Sequence, residues 1–175
     1  MSSLIFKPLS FEYLEWARQL HNDPDVICML TDPHIVLEEE QVVWFNKLLK
    51  SNSSERILVF NSSLTPIGIV RIDSIDNHNK SVCVGLDIHR DFRGKGLAKQ
   101  VYHYMFKHWF IEKDFNRVWL LVAEYNLIGR HIYEKLGFLY EGTQRKALYK
   151  DGLFFDYLMM GFLKDEYLSQ NNVNK

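Results

Sequence analysis

The sequence predicts a mixed α/β (α+β) fold organised around one central sheet of about seven strands. Three strand-like segments follow one another with only short turns between them, which indicates an antiparallel meander. From Val82 to Val122 a strand, a glycine-containing turn, a helix and another strand follow in order, and this order requires a crossover between two parallel strands. Near the end, two strand-like segments flank Asp151-Gly152, a strong hairpin signal. The predicted element order is β-α-α-β-β-β-α-β-α-β-β.

The alternation and the helical periodicity of apolar residues predict the strands and helices in the first half of the chain. They are a strand at residues 4–7, helices at 10–22 and 37–50, and strands at 56–60 and 67–73. The second helix begins with three glutamates, which suit the positive end of a helix dipole. We expect it to bury Val42, Phe45 and Leu49, because these residues recur on one helical face.

The second half alternates strands and helices before the final hairpin. Its predicted strands are residues 81–88, 117–123, 139–149 and 153–162. A helix of about four turns starts at Leu97, and a shorter helix is opened by Asn126 and ended by Gly137. The shorter helix should turn Ile128, Ile132 and Leu136 to the core. We expect one domain at 1–168 and a disordered polar tail at 169–175.

Composition narrows the class of protein. A chain of 175 residues with 47% apolar residues suits a globular domain with a sizeable core. The net charge of -1 argues against binding nucleic acid by bulk electrostatics. No leader is recognisable and no apolar run reaches the roughly 18 residues of a membrane span, so a cytoplasmic location is expected. Cys28 and Cys83 are too few for a disulfide framework or a cysteine-rich metal site, and no metal is expected.

One stretch combines the features of an anion site. His89 to Ala98 joins a strand to a helix through Gly94 and Gly96, with cations on either side of the glycines. The backbone N–H groups at the start of a helix lack partners within the helix, and the helix dipole is positive at this end. The stretch therefore predicts a phosphate site formed mainly by the backbone.

Two motifs resemble the GCN5-related N-acetyltransferase (GNAT) superfamily. Its pyrophosphate turn, Gln/Arg-x-x-Gly-x-Gly/Ala, is similar to the segment from Arg93 to Ala98, between the fourth strand and the third helix. The second motif is Asn126 followed by Tyr133-Glu134-Lys135-Leu136-Gly137-Phe138, which resembles a signature on the fourth helix. The order of motifs and elements agrees over nearly the whole chain. The resemblance implies the GNAT fold, with a parallel strand pair that splays apart, and an acetyl-CoA-dependent N-acetyltransferase.

The resemblance also implies how acetyl-CoA would be held. The backbone around the pyrophosphate turn would bind the phosphates, and main-chain groups near Ile88 would pair with the pantetheine arm like an added strand. Asn126 would bind the same arm through its side-chain amide. The residues expected to contact the cofactor are Ile88, His89, Arg93, Gly94, Lys95, Gly96, Leu97, Ala98, Asn126, Tyr133 and Lys135.

The expected reaction is direct attack of an amine on the thioester in a ternary complex, without a covalent enzyme intermediate. Tyr133 matches the family's general acid, which protonates the departing thiolate. An ammonium must first lose a proton, so a base is also needed. Many relatives carry a glutamate where this chain has Cys83. Glu124 is therefore the first candidate for the base and Asp87 the second, with Asp73 a third.

The identity of the acceptor amine stays open at this level. The layout resembles acetyltransferases of amino sugars, ribosomal proteins and polyamines, and we expect a nucleotide-linked amino sugar. A polyamine or a protein N-terminal amine is the alternative. A non-catalytic acyl-CoA-binding regulatory domain is a hypothesis of another class, but it would tolerate the loss of Asn126 and Tyr133, which are both present. Aromatic residues in the third helix and the last hairpin suggest a homodimer.

Overall fold

The computed structural model describes residues 4–30 and 33–172 and confirms the mixed sheet. Its seven strands lie in the order β1-β2-β3-β4-β5-β7-β6. They are β1 (Ile5–Pro8), β2 (Glu55–Phe60), β3 (Pro66–Asp76), β4 (Ser81–Ile88), β5 (Arg117–Ala123), β6 (Leu139–Lys150) and β7 (Leu153–Leu163). The helices are α1 (Leu14–Asn22), α2 (Pro24–Ile27), α3 (Glu38–Leu48), α4 (Leu97–Phe106), α5 (Leu127–Leu136) and α6 (Lys164–Asn172).

The chain forms two compact units. The first comprises Met1–Ser74 with Gly85–Val101, and the second comprises Ile75–Val84 with Tyr102–Lys175. Each unit has its own apolar core and is described by itself. The expectation of a single domain at 1–168 stays a prediction.

The first unit packs α1 and α3 on antiparallel strands. Ile5 to Pro8 pair with Phe60 to Ile57, and β2 pairs in turn with β3. The apolar faces of these strands and helices form one cluster of buried side chains, which comprises Leu9, Leu14, Ala17, Leu20, Val26, Leu30, Phe45, Leu58, Phe60 and Ile69. Burial of these alternating and helically spaced residues removes apolar surface from water and holds α1 and α3 in place.

The second unit contains the predicted parallel pair. Residues Ser81 to Cys83 lie parallel to Arg117 to Trp119, and β5 is flanked on its other side by antiparallel β7. Rings from α4, from the turn after α5 and from β7 pack at centroid distances of 5 to 6 Å, among them Tyr102, Phe106, Phe138 and Phe162. The aromatic stripe of the long helix is therefore core, as aromatic residues at helical spacing usually are.

The final hairpin is confirmed. Lys150 pairs with Leu153 across a two-residue loop, in which Asp151 has φ 50° and Gly152 has φ 82°. Two positive φ angles define the turn that matches the twist of antiparallel strands, and Asp-Gly supplies them at low cost. Gly137 likewise ends α5 in the left-handed conformation, at φ 103°.

Three helical details differ from the sequence prediction. In α3 the buried residues are Gln41 and Phe45, whereas Val42 and Leu49 are exposed. In α5 Leu136 is buried, but Ile128 is 77% exposed because it lies in the first turn. The long helix continues beyond Phe106 as a π-helix at Lys107–Glu112, a change in winding that hydrophobic spacing does not reveal.

Helix α6 extends into the segment that the sequence predicts as a polar tail. Residues 169–172 of the predicted tail belong to α6, where Ser169 Oγ donates a hydrogen bond to the Asp165 carbonyl. This is the bond that a serine hydroxyl makes within a helix to the carbonyl four residues earlier, here in the first turn of α6. Residues 173–175 lie outside the described part of the chain. Across the described residues, none of the helices combines the length and the apolar character needed to traverse a bilayer.

Candidate active site

The predicted phosphate turn has the backbone geometry of an anion site. After β4, His89 caps a short 3-10 helix at Arg90–Phe92, and α4 begins at Leu97. Gly94 and Gly96 have φ of 72° and 70°, which only glycine adopts without strain. A Cβ at either position would meet no atom within 4 Å, so the space above the turn is open. An open glycine turn before a ten-residue helix fits the pyrophosphate of coenzyme A.

Arg93 and Lys95, which flank the first glycine of this turn, are held by local contacts. Arg93 Nε donates to the Ile88 carbonyl at 2.9 Å, and its guanidinium pairs with Asp25 at 3.4 Å. Lys95 Nζ donates to the Asp91 carbonyl at 2.7 Å. Both side chains are surface groups on flexible stems, so each can exchange these contacts for a phosphate at small cost.

A stronger ion pair braces the turn against the end of α1. Arg90 Nε and one terminal nitrogen donate to Asp23 Oδ2 at 2.9 and 2.6 Å. Only 8% of the Asp23 side chain is exposed, and Asp23 also accepts from the Asp25 N–H at the start of α2. Burial opposes the charged form of Asp23, but the hydrogen bonds from Arg90 and Asp25 outweigh it, so its pKa lies below the ordinary value.

The second unit carries the other motif. Asn126 is the N-cap of α5, where its Oδ1 accepts from the Gly129 N–H at 2.9 Å, so the amide NH₂ is not used for capping. Tyr133 is half-buried, and its ring packs edge-to-face against Tyr102 and Phe138, at 5.8 Å from each. Lys135 lies exposed in the last turn of the same helix. The capping explains why an asparagine opens this helix, and the packing fixes the tyrosine ring.

The structure gives each proposed base a structural partner. Glu124 is exposed, and its Oε1 accepts from the Asp156 N–H at 3.0 Å. Asp87 accepts from Arg71 through both oxygens, at 2.8 and 3.3 Å. Asp73 Oδ1 accepts from Arg56 at 3.0 Å. Hence all three carboxylates already serve local contacts.

A cavity in the first unit, of about 300 Å³, brings together polar groups that sequence reasoning did not connect. Its walls come from α1, the segment before α3, α3 itself, and strands β2 to β4. The polar and charged lining residues are His21, His34, Glu40, Gln41, Arg56, Arg71, Asp73 and Asp87. Of the three proposed bases, Asp73 and Asp87 line this cavity, whereas Glu124 belongs to the other unit.

One wall of the cavity is tied to α1 by side-chain hydrogen bonds. Asn22 pairs with the Val36 backbone in both directions, each at 2.9 Å, and Arg18 donates to the Val36 carbonyl at 3.2 Å. His21 Nε2 lies 3.1 Å from the His34 carbonyl oxygen. Asn22 and Val36 are 14 residues apart, and no motif joins them, so sequence reasoning did not find this wall.

The two cysteines stay apart from each other. Cys28 and Cys83 are both half-buried, and no disulfide links them. In the part of the chain that the structure describes, no group of three or more histidine, cysteine, aspartate or glutamate side chains is placed to hold a metal ion.

Comparison with known proteins identifies the family. An acetyltransferase (GNAT) domain model matches residues 3–139. The N-acetyltransferase YdaF of Bacillus subtilis is 30% identical over 124 residues, covering 71% of this chain and 67% of that protein. The spermidine N(1)-acetyltransferase of Vibrio cholerae is 24% identical over 171 residues, covering 97% and 98%.

A solved structure agrees with this comparison at the level of the fold. The structure of Vibrio cholerae spermidine N-acetyltransferase with CoA and spermine aligns with a TM-score of 0.88 at 24% sequence identity, covering 94% of this chain and 98% of that one. The family model spans the glycine turn and the Asn126–Phe138 signature, so sequence and fold lead to one assignment. The chain belongs to the GNAT acetyltransferase family and is an N-acetyltransferase that uses acetyl-CoA.

Proposed function

We propose that the acceptor is a polyamine or a similar aliphatic amine, with the cavity of the first unit as its site. The carboxylates of Glu40, Asp73 and Asp87 line this cavity and outnumber the guanidinium groups of Arg56 and Arg71. An excess of negative charge in a partly enclosed space attracts an ammonium group. The acidic lining is the observation that carries the proposal.

Relatives support the same class of acceptor. The Vibrio cholerae relative is named as a spermidine N(1)-acetyltransferase, and its solved structure contains spermine. A nucleotide-linked amino sugar, the acceptor expected from the sequence, carries phosphates that an acidic cavity disfavours. The polyamine alternative therefore replaces the amino sugar as the leading proposal.

The donor and acceptor would be held by different chemistry. Backbone N–H groups from Arg93 to Ala98 would bind the pyrophosphate, Ile88 would pair with the pantetheine arm, and Asn126 Nδ2 would donate to that arm. Acetyl-CoA supplies a thioester carbonyl, which a primary amine attacks once it is deprotonated. His89, Leu97 and Lys135 complete the proposed cofactor contacts.

Tyr133 is proposed as the general acid for the departing thiolate. Its ring is fixed by Tyr102 and Phe138, so replacement by phenylalanine should keep the packing and remove only the hydroxyl. We expect Tyr133→Phe to lower kcat on the order of 100-fold and to leave the Kd for CoA within about twofold. Steady-state kinetics and calorimetric titration measure these two quantities. An unchanged kcat would remove Tyr133 from this role.

The function itself is tested with a panel of acceptors. Thiol release from acetyl-CoA is monitored with spermidine, spermine, a UDP-linked amino sugar and a peptide with an unblocked N-terminus. We expect turnover with the two polyamines to exceed turnover with the other acceptors by at least about tenfold in kcat/KM. A higher kcat/KM with the amino sugar would instead support the acceptor that the sequence predicts. CoA binding without turnover on any amine would favour a regulatory domain.

We also propose that the chain self-associates. Tyr149, Leu153 and Phe154, around the turn of the last hairpin, are each about 60% exposed. Clustered exposed apolar side chains are typical of protein interfaces. The Vibrio cholerae spermidine N-acetyltransferase has been solved as a dodecamer.

A further inference from the structure

We propose that His21 accepts the proton from the ammonium group of the acceptor, through Nδ1 of its ring. The inference rests on the proposed function, because it places the amine in the cavity that His21 lines. His21 lies in the last turn of α1 and is half-buried. Neither the family signature nor the base candidates named from the sequence include it.

The hydrogen bond to His34 decides which nitrogen of His21 carries the proton. Nε2 lies 3.1 Å from the His34 carbonyl oxygen, and a carbonyl oxygen only accepts hydrogen bonds. Nε2 must therefore carry a hydrogen, which leaves the lone pair of the neutral ring on Nδ1. Within residues 4–30 and 33–172, no donor contacts this Nδ1. The ring is thus hydrogen-bonded through Nε2, and the Nδ1 lone pair is not used by a donor from the described residues.

The three carboxylates of the cavity are already engaged. Glu40 accepts from the Leu37 N–H at 2.8 Å, while Asp73 and Asp87 pair with arginines. Gln41 has no titratable group, and its Nε2 donates to the Leu14 carbonyl. These carboxylates can attract and orient an ammonium without giving up their partners. His21 adds to these groups an imidazole whose Nδ1 carries the lone pair of the neutral ring.

The charge state of His21 suits a proton acceptor at neutral pH. Burial lowers the pKa of His21 below its ordinary value of 6.5, and Arg71 and His34 act in the same direction. The hydrogen bond to the His34 carbonyl and the charge of Asp87 act in the opposite direction. Glu40 is the further charged group of α3 that lines this cavity. Because the balance favours the neutral ring, the imidazole is unprotonated when the amine arrives.

The proton balance of the step is simple. The ammonium gives one proton to His21 Nδ1, leaving a neutral amine and an imidazolium. The amine nitrogen then forms a bond to the thioester carbonyl carbon, the carbon–sulfur bond breaks, and the nitrogen loses a second proton. The thiolate gains one proton to become CoA thiol. Overall, one proton is released to solvent for each acetyl group transferred to an ammonium.

The test compares His21→Gln with the wild type. The glutamine amide can still donate to the His34 carbonyl, so the wall of the cavity is kept while the titrating ring is lost. With spermidine as the acceptor, we expect kcat to fall about 100-fold, the KM for spermidine to stay within about threefold, and the acid limb of the kcat/KM profile below pH 6.5 to disappear. His78→Gln, in the exposed turn between β3 and β4, is the matched control and should behave like the wild type.

NMR measurements on the wild type do not depend on how a variant folds. NMR titration of the wild type should give His21 a pKa below 6.5, and saturating spermidine should shift the His21 ring signal but not that of His78. In His21→Ala, added imidazole should restore part of the lost rate. A wild type that acetylates spermidine while His21→Gln keeps its rate and acid limb would overturn the role of His21. A wild type inactive on all amines would instead overturn the proposed function.

Discussion

Asn126 serves two purposes that one substitution can separate. Its Oδ1 caps α5, whereas its Nδ2 is proposed to bind the pantetheine arm. Aspartate keeps a capping oxygen and removes the amide donor, so Asn126→Asp should preserve the thermal stability but weaken CoA binding about tenfold. Asn126→Ala loses both groups and should also cost about 1 kcal/mol of stability. Calorimetric titration and thermal unfolding of the two variants measure these effects.

The contrast between the two variants makes the result decisive. If Asn126→Asp binds CoA as tightly as the wild type, the side-chain amide does not contact the cofactor. If both variants lose the same stability, Oδ1 is not an effective cap. The aspartate charge at the start of a helix is itself favourable, so it would add to the stability that the retained cap gives Asn126→Asp.

At the scale of elements, the glycine turn before α4 depends on its backbone conformation. Gly94→Ala and Gly96→Ala would meet no neighbouring atom, so their cost arises from φ near 70° and not from crowding. That cost is about 1 kcal/mol, which we expect to appear as roughly fivefold weaker CoA binding as the turn relaxes. Calorimetric titration with CoA checks it.

Gly142→Ala provides the control for the two turn variants. A Cβ at Gly142 also meets nothing within 4 Å, and its φ lies outside the left-handed region. This variant should bind CoA like the wild type. Equal binding by all three variants would show that the conformation of the glycine turn is not needed for the cofactor.

The elements were largely predictable because each has a local signal. Asn126 and Gly137 mark both ends of α5, and Asp151-Gly152 marks the hairpin. On the face of α3 predicted to be buried, Phe45 is confirmed, whereas Val42 and Leu49 are exposed. Gln41 takes a core position instead, where its amide donates to the Leu14 carbonyl. A hydrophobic pattern cannot identify a polar residue buried by a hydrogen bond.

Only the part of the candidate site that is proposed to bind the cofactor could be predicted from the sequence. The glycine turn and the Tyr133 signature are contiguous motifs, so residue order alone reveals them. His21, Arg71 and Asp87 meet only because three separate elements fold around one cavity. The partner of Asp87 is equally remote, since Arg71 lies on the neighbouring strand of the meander. Long-range pairing of this kind leaves no periodic signal.

At the scale of the whole molecule, the last hairpin predicts association. Leu153 and Phe154 are each 61% exposed, so replacing both with glutamate should cost the monomer little. We expect light scattering to give the wild type a mass that is a multiple of 20.8 kDa and the double variant a mass close to 20.8 kDa. The reason is that an apolar contact cannot bury two charges without a large desolvation cost.

A second exposed leucine serves as the control for association. Leu64 is 56% exposed in the turn between β2 and β3 and has φ 59°, a conformation that asparagine tolerates. Leu64→Asn should leave the mass unchanged. A wild-type mass of 20.8 kDa would refute the proposed association, and an unchanged mass in the double variant would place the contact elsewhere.

The ion pair of Asp23 and Arg90 has a consequence for how this chain can diverge over evolutionary time. Loss of Arg90 would leave a buried carboxylate without its counter-ion, whereas Asp23→Asn would keep the cap of α2 and release Arg90, half of whose side chain already faces water. The order of substitution is therefore constrained. The side chain at position 23 can lose its charge first, and only then can Arg90 be replaced without leaving a buried, unpaired carboxylate. Descendants of this chain should include proteins that have an asparagine at position 23 and still carry Arg90, but should rarely keep Asp23 after Arg90 has been lost.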